Sequence, residues 1–191
     1  MNANNDLLRW DERYQRARYN TFDQPRQFLI DHSELLPKAG IALDAAMGLG
    51  GNAGYLIDRG LSVIGIDISA VAVKRAKNQF PHIMAVQADL NHFFLPKAYF
   101  DVILNFFYLQ RDLLSIYPEL LRPGGLLLIE TMTRDMLDIK PEIDPKFLLA
   151  PNELREAFAS SMEIITYHEG WTLSRDGHRR AVASMAARLP G

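Results

Sequence analysis

Apolar and polar positions along the chain alternate between two periods. Residues 41–47 form an almost continuous apolar run, the mark of a strand buried on both faces. Residues 52–60 then read as a short helix stopped by Gly60. The unit repeats. A strand over 62–69 precedes a helix that starts at Ala70 and ends before Pro81, and a third strand covers 83–90. A compact connection leads to a fourth strand over 100–109. Residues 112–121 place Leu113, Leu114, Tyr117, Leu120 and Leu121 on one helical face, with Pro118 predicting a kink or a late start. Residues 123–133 turn through two glycines into a fifth strand.

Strands alternating with helices imply right-handed crossovers and a parallel sheet covered on both faces. After a helix at 151–158 the pattern changes. Two strand-like stretches, 162–173 and 179–189, are separated by a short loop holding Asp176-Gly177, which is a hairpin signal. The predicted fold class is α/β: a Rossmann-like three-layer αβα sandwich on a mostly parallel seven-stranded sheet, ending in an antiparallel β6–β7 hairpin. With 191 residues the chain suits one domain. Residues 1–36 read as an N-terminal helical cap with Phe28, Leu29, His32, Leu35 and Leu36 on one face, and 37–191 as the core. Residues 134–151, with Pro141, Pro145 and Pro151, read as a lid-like loop.

Composition narrows the partners. The net charge of -2 gives no general attraction for a polyanion, so no nucleic acid is expected. Two basic clusters, Arg9, Arg13, Arg16 and Arg18, then Arg175, Arg179 and Arg180, are interleaved with acids and predict solvated surface. The absence of cysteine excludes disulfides, thiolate metal sites and thiol nucleophiles. The first residues are polar, and no apolar run approaches the roughly 20 residues of a membrane span. A cytoplasmic protein without a membrane partner is expected. The five histidines show no ligand spacing and predict no metal site; His168 and His178 are expected at the surface or in packing.

The candidate chemistry lies in the glycine turn at 48–51, at the carboxyl end of the first strand, where open parallel sheets bind ligands. Gly48 and Gly50 allow close backbone approach, and the helix from Asn52 offers unpaired N–H groups. No Lys-Ser or Lys-Thr follows, which rejects a Walker loop. The turn does match G-x-G-x-x-A, with Asp67 about 20 residues on, as a nicotinamide enzyme requires. Three features favour S-adenosylmethionine instead. Asp44 lies inside the strand, where an ammonium group is a better partner than a pyrophosphate. Asp89 closes the third strand, within reach of an adenine amine. The terminal hairpin fits a methyltransferase sheet better than a dehydrogenase sheet. Singly, Asp67 and Asp89 also read as caps and the glycines as a tight turn. Asp44 is hardest to read as structure alone.

In these motifs, in order LDAAMGLG, GIDIS, QADL, FDVILN and LRPGG, residues from about 40 to 191 resemble the class I S-adenosylmethionine-dependent methyltransferases. A finer resemblance, to small tellurite-resistance-type and thiopurine-type methyltransferases, rests on Trp10-Asp11-Glu12-Arg13-Tyr14, on GLGGNA, and on residues 106–111. The resemblance implies that Asp44, Gly48 and Gly50 frame the methionine tail, and that Asp67 takes the ribose with Ile68 beside the adenine. It places Asp89 and Leu90 at the adenine and Asn105 near the transferred methyl. Ala46 stands where the family's usual first glycine falls. Tyr14 and Arg13 would close over the cofactor if the first helix folds down.

For the acceptor, Asn105-Phe106-Phe107-Tyr108 sits where amine methyltransferases of this fold carry Asn-Pro-Pro-Tyr, and both prolines are absent. That argues for a small-molecule substrate, with Tyr14, Tyr108 and Arg111 facing it, the arginine favouring an anion. Two alternatives stay open: an NAD-dependent oxidoreductase and a non-catalytic S-adenosylmethionine-binding protein. An open cavity beside Asn105 would favour an enzyme, a plugged one a binder.

Overall fold

Strands β1 (Gly40–Ala45), β2 (Leu61–Asp67), β3 (Met84–Gln87), β4 (Phe100–Phe106) and β5 (Leu121–Met132) follow the apolar runs and pair in parallel. Strands β6 (Glu163–Leu173) and β7 (Arg179–Arg188) form the hairpin, and β7 lies antiparallel to both β5 and β6. The single sheet runs in the order β3-β2-β1-β4-β5-β7-β6. These are the relations in a computed structural model that describes residues 3–16, 23–175 and 177–191. Arg18 and Asp176 lie outside the described residues.

Helices α1 (Ala3–Arg16), α2 (Gln27–Asp31), α3 (Gly51–Ile57), α4 (Ala70–Gln79), α5 (Arg111–Leu120) and α6 (Glu153–Phe158) complete the layers. Because β1 is buried on both sides, its alternate residues feed two cores. Leu43 and Ala45 join Leu113, Leu114 and Tyr117 of α5 and Phe158 of α6. Ala42 joins Leu29 of α2, Ala53 and Leu56 of α3, and Ala76 of α4. Filling each side with Leu-sized chains contributes about 1.5–3 kcal/mol per residue, which holds the strand ends in fixed register. The order reverses at β1 and β4, and this switch point positions the site.

Two sequence expectations change. Helix α5 starts at Arg111, not late, and carries Pro118 through its last turn. The 134–151 segment is a pinned strap. It contains short 3-10 turns at Arg134–Asp138 and Pro145–Phe147, a bridge from Thr133 to Leu149, and fully buried Leu148 and Leu149. Two buried leucines and a backbone bridge tie its carboxyl end to the sheet, which a free flap lacks.

Candidate active site

The turn after β1 takes three left-handed residues: Ala46 (φ 56), Gly48 (φ 56) and Gly50 (φ 80). Ala46 therefore follows the backbone path that a glycine would, at a cost of roughly 1–2 kcal/mol. At Gly48 the conformation is matched by crowding: an added Cβ would lie 2.9 Å from the Tyr14 hydroxyl. The turn is fixed by its own bonds. Met47 N–H donates to Ile66 O at 2.9 Å, and Gly48 N–H donates to Asp67 Oδ2 at 2.8 Å.

Asp67 ends β2 and also accepts Ser69 N–H at 2.9 Å. The true cap of α4 is Ser69, whose hydroxyl accepts Ala72 N–H. Asp67 therefore ties the glycine turn to the start of α4, and burial raises its pKa against the pull of these N–H groups. Its four lone-pair positions leave room for ribose hydroxyls. Asp44 is 1% exposed, and its Oδ2 has no hydrogen-bond partner. Burial, and then the neighbouring Asp67, push its pKa up to about 7, against the Ala53 N–H and Arg26. A buried carboxyl that a neighbouring acid also disfavours as an anion is relieved by a cation. The two acids repel a pyrophosphate, so this arrangement fits the ammonium end of S-adenosylmethionine and fits a dinucleotide poorly.

Helix α1 lies over this turn. Asp11 accepts from the Ser69 hydroxyl and from Val71 N–H, and Arg75 donates to the Tyr14 carbonyl. Trp10 stacks on Tyr14 at 5.6 Å, and Tyr14 is 7% exposed with its pKa raised by burial and by Asp67. Tyr14 thus stands over the glycine turn, where its hydroxyl reaches Gly48.

The other expected site residues divide. Ile68 is half-buried just past the end of β2. Leu90 belongs mainly to the core beside α5. Asp89 uses its carboxylate on Asn91 N–H, Asn91 Nδ2 and His92 Nδ1; burial opposes these donors, which still hold its pKa low. It caps its own loop. Asn52 is turned to the N-terminal segment, its Oδ1 accepting Arg26 N–H at 2.8 Å. Asn105 is fully buried, donates Nδ2 to the Tyr117 hydroxyl at 2.9 Å, and leaves Oδ1 unpartnered. Tyr108, half-buried, donates to Gln110 Oε1.

Arg111 requires a correction. Its guanidinium is bidentate on Glu153 at 2.6 and 3.0 Å and donates to the Lys146 and Leu148 carbonyls at 2.7 and 3.0 Å. These bonds use its fork to pin the strap to α5 and α6, so it does not present that fork to an anionic substrate. Phe107 takes φ 57 and donates its N–H to Glu130 O at 2.7 Å. Proline can do neither, which is why the Asn-Pro-Pro-Tyr geometry is absent here.

Sequence reasoning missed three charged residues at this edge. Arg26 lies 4.5 Å from the Phe107 ring and Arg180 5.5 Å from the same ring. Glu130, near the end of β5, faces both arginines, and burial raises its pKa against them. Arg180 is half-buried and not the plain surface residue that its sequence neighbours implied. Arg26 fell between patterns. Only its place before the α2 face marked it.

Residues 42–125 match the methyltransferase domain family. A malonyl-[acyl-carrier protein] O-methyltransferase from Enterobacter lignolyticus is 34% identical over 100 residues, 50% of this chain and 40% of that protein. A probable S-adenosylmethionine-dependent methyltransferase from Mycolicibacterium smegmatis is 31% identical over 97 residues, 48% of this chain and 38% of that one. The chain thus spans about two fifths of the length of these curated relatives. A methyltransferase structure from Methanosarcina mazei superposes with a TM-score of 0.70 at 16% identity, covering 84% of this chain and 97% of the other. The geranyl diphosphate C-methyltransferase of Streptomyces coelicolor, solved with S-adenosyl-L-homocysteine, gives 0.66 at 18% identity over 85% and 78%. Among the described residues no helix is long and apolar enough to cross a membrane. The likeness to the methyltransferase domain family thus covers residues 42–125, and the fold is the one that these solved methyltransferase structures share.

Proposed function

We propose that the chain binds S-adenosylmethionine on the turn after β1 and transfers its methyl group to a small-molecule acceptor. One observation carries this reading: Asp44, fully buried beside Asp67, with an oxygen that has no donor. Burying an unpaired carboxylate costs several kcal/mol unless a cation arrives. The bound cofactor supplies an electrophilic methyl on a sulfonium, whose displacement leaves a neutral thioether.

The chain's own residues bind and align. Asp44 takes the ammonium group, and Arg26, which interacts electrostatically with Asp44, takes the methionyl carboxylate. Asp67 accepts from the ribose hydroxyls, and Ile68 and Leu90 flank the adenine. Asp89, at the same edge, accepts from the adenine amine beside its own loop contacts. Tyr14 and α1 exclude water once closed. Holding donor and acceptor in line and dry is the main requirement of such a displacement. The finer likeness to the tellurite-resistance and thiopurine types rests on Trp10 to Tyr14, and the seating of α1 supports it.

A second reading has its own support. Asn105 has no exposed surface in this closed arrangement, as a non-catalytic binder would show. Incubation with S-adenosylmethionine and a panel of amines, acids, thiols, selenite and a carrier-protein-bound acid separates the two. Acceptor-dependent S-adenosylhomocysteine with a small molecule supports the proposal. Tight binding with no turnover favours the binder, and turnover only of the carrier-bound acid moves the acceptor class.

A further inference from the structure

Phe107, the first residue past β4, takes φ 57, which a phenylalanine rarely adopts and which persists only where the surroundings fix it. Its N–H donates to Glu130 O at 2.7 Å and so continues the pairing of β4 with β5 beyond Phe106. Its ring carries the Arg26 guanidinium at 4.5 Å, with Arg180 farther out at 5.5 Å.

Arg26 reaches this ring from the opposite side of the switch point. Its backbone N–H donates to Asn52 Oδ1 at 2.8 Å. The chain just before it lies so close on the start of α3 that a Cβ on Gly51 would collide with the Asp23 carbonyl. The residue after Asn52, Ala53, gives its N–H to Asp44, and Asp44 pairs with Leu104 of β4. The first turn of α3 therefore fixes the Arg26 backbone beside Asp44, and the guanidinium spans from there to the end of β4. Among the described residues that guanidinium makes no hydrogen bond; the ring face seats it, in the field of Asp44 and Glu130. A seat on a ring face uses none of the five N–H donors, so the fork stays available to a carboxylate. Arg111 shows the contrast, since Glu153 and two carbonyls take up its fork.

Resting on the reading above, in which Arg26 takes the methionyl carboxylate, we propose that Phe107 is a positioning residue for the amino-acid end of the cofactor. Its ring holds the Arg26 fork over the β1–β4 crevice, and the site thereby selects cofactors that carry a carboxylate. A leucine at this position keeps the apolar contact and loses the negative ring face that attracts the cation.

The test compares two ligands by titration calorimetry on the full chain. S-adenosylhomocysteine carries the amino-acid end, and 5′-methylthioadenosine lacks it while keeping the adenosine and the sulfur. Phe107→Leu should weaken S-adenosylhomocysteine about three- to tenfold and leave 5′-methylthioadenosine within about twofold. Phe107→Gly, which suits the left-handed backbone, should behave in the same way, and Phe107→Tyr, which keeps a ring, should match the parent. Arg26→Met should weaken S-adenosylhomocysteine about tenfold or more, and adding Phe107→Leu to it should cost nothing further, because the ring then has no fork to hold. Retained 5′-methylthioadenosine affinity shows that each variant is folded. Equal losses for both ligands, or a Phe107→Leu effect undiminished in the Arg26→Met background, overturns the positioning role alone. An Arg26→Met variant that binds S-adenosylhomocysteine like the parent overturns the carboxylate assignment beneath it. Failure of the parent to bind S-adenosylhomocysteine overturns the methyltransferase reading and this inference with it.

Discussion

Replacing Asp44 with asparagine should stabilise the ligand-free protein and weaken its cofactor binding. The carboxyl is pushed from an ordinary 3.8 up to about 7, with burial the first cause and Asp67 the second. A raised carboxyl pKa means that the folded state keeps a proton which the unfolded chain has already lost. Stability therefore falls as pH rises from about 4 to about 7, and the whole penalty is present above that window. At about 1.4 kcal/mol per tenfold, the gap corresponds to about 4 kcal/mol at pH 8. Asparagine keeps the shape and loses the charge, but buries an amide whose N–H groups need acceptors, at about 1–3 kcal/mol. The net gain expected for Asp44→Asn at pH 8 is about 2 kcal/mol, or roughly 4–8 °C in Tm for a chain of this size. At pH 5 the gain should vanish. The same variant should bind S-adenosylmethionine about 10–100-fold more weakly at pH 8, having lost a charge-assisted hydrogen bond. Thermal unfolding across pH 5–8 and titration calorimetry measure both effects. A variant less stable than the parent at pH 8, or a parent that gains stability from pH 5 to 8, would refute the reasoning.

Three further predictions follow from the contacts around the turn. Arg111→Ala should lower stability by about 1–2 kcal/mol, discounted for its 42% exposure, and speed amide exchange at Leu148 and Leu149; unchanged exchange would mean that other contacts hold the strap. Ala46→Gly should leave stability within about 1 kcal/mol, since relief of the left-handed alanine offsets the extra chain entropy, whereas Ala46→Val should cost about 2 kcal/mol or more. Both can be read from urea midpoints. Asp11→Ala removes the acceptor for the Ser69 hydroxyl and Val71 N–H. Stopped-flow mixing with S-adenosylhomocysteine should show faster association and faster release, because α1 is less firmly seated; unaltered rates would detach α1 from cofactor entry.

The sheet was legible because β1, β4 and β5 are apolar on both faces, as a doubly covered parallel sheet requires. The hairpin was legible from the short loop and the turn residues between its two strand-like stretches. The site was legible where backbone demands select a residue type, at Gly48 and Gly50, or where burial makes a charge anomalous, at Asp44. Side-chain commitments were not. Arg111 and Tyr108 occupy equivalent places in sequence after β4, but only the fold brings Glu153 and the 146–148 carbonyls to the arginine. Likewise Asp89 is a good adenine partner by position, and Asn91 and His92 engage it from two and three residues away. Arg26, Glu130 and Arg180 come from three distant segments and meet at Phe107, whose positive φ no motif announces.

The central claim is that the turn after β1, with Asp67, holds S-adenosylmethionine. Titration calorimetry of the purified chain with S-adenosylhomocysteine and with NADH, repeated on Asp67→Ala, tests it most directly. The account predicts micromolar binding of S-adenosylhomocysteine, none of NADH, and loss of the signal in the variant. Binding of NADH alone would contradict it and return the glycine turn to the dehydrogenases.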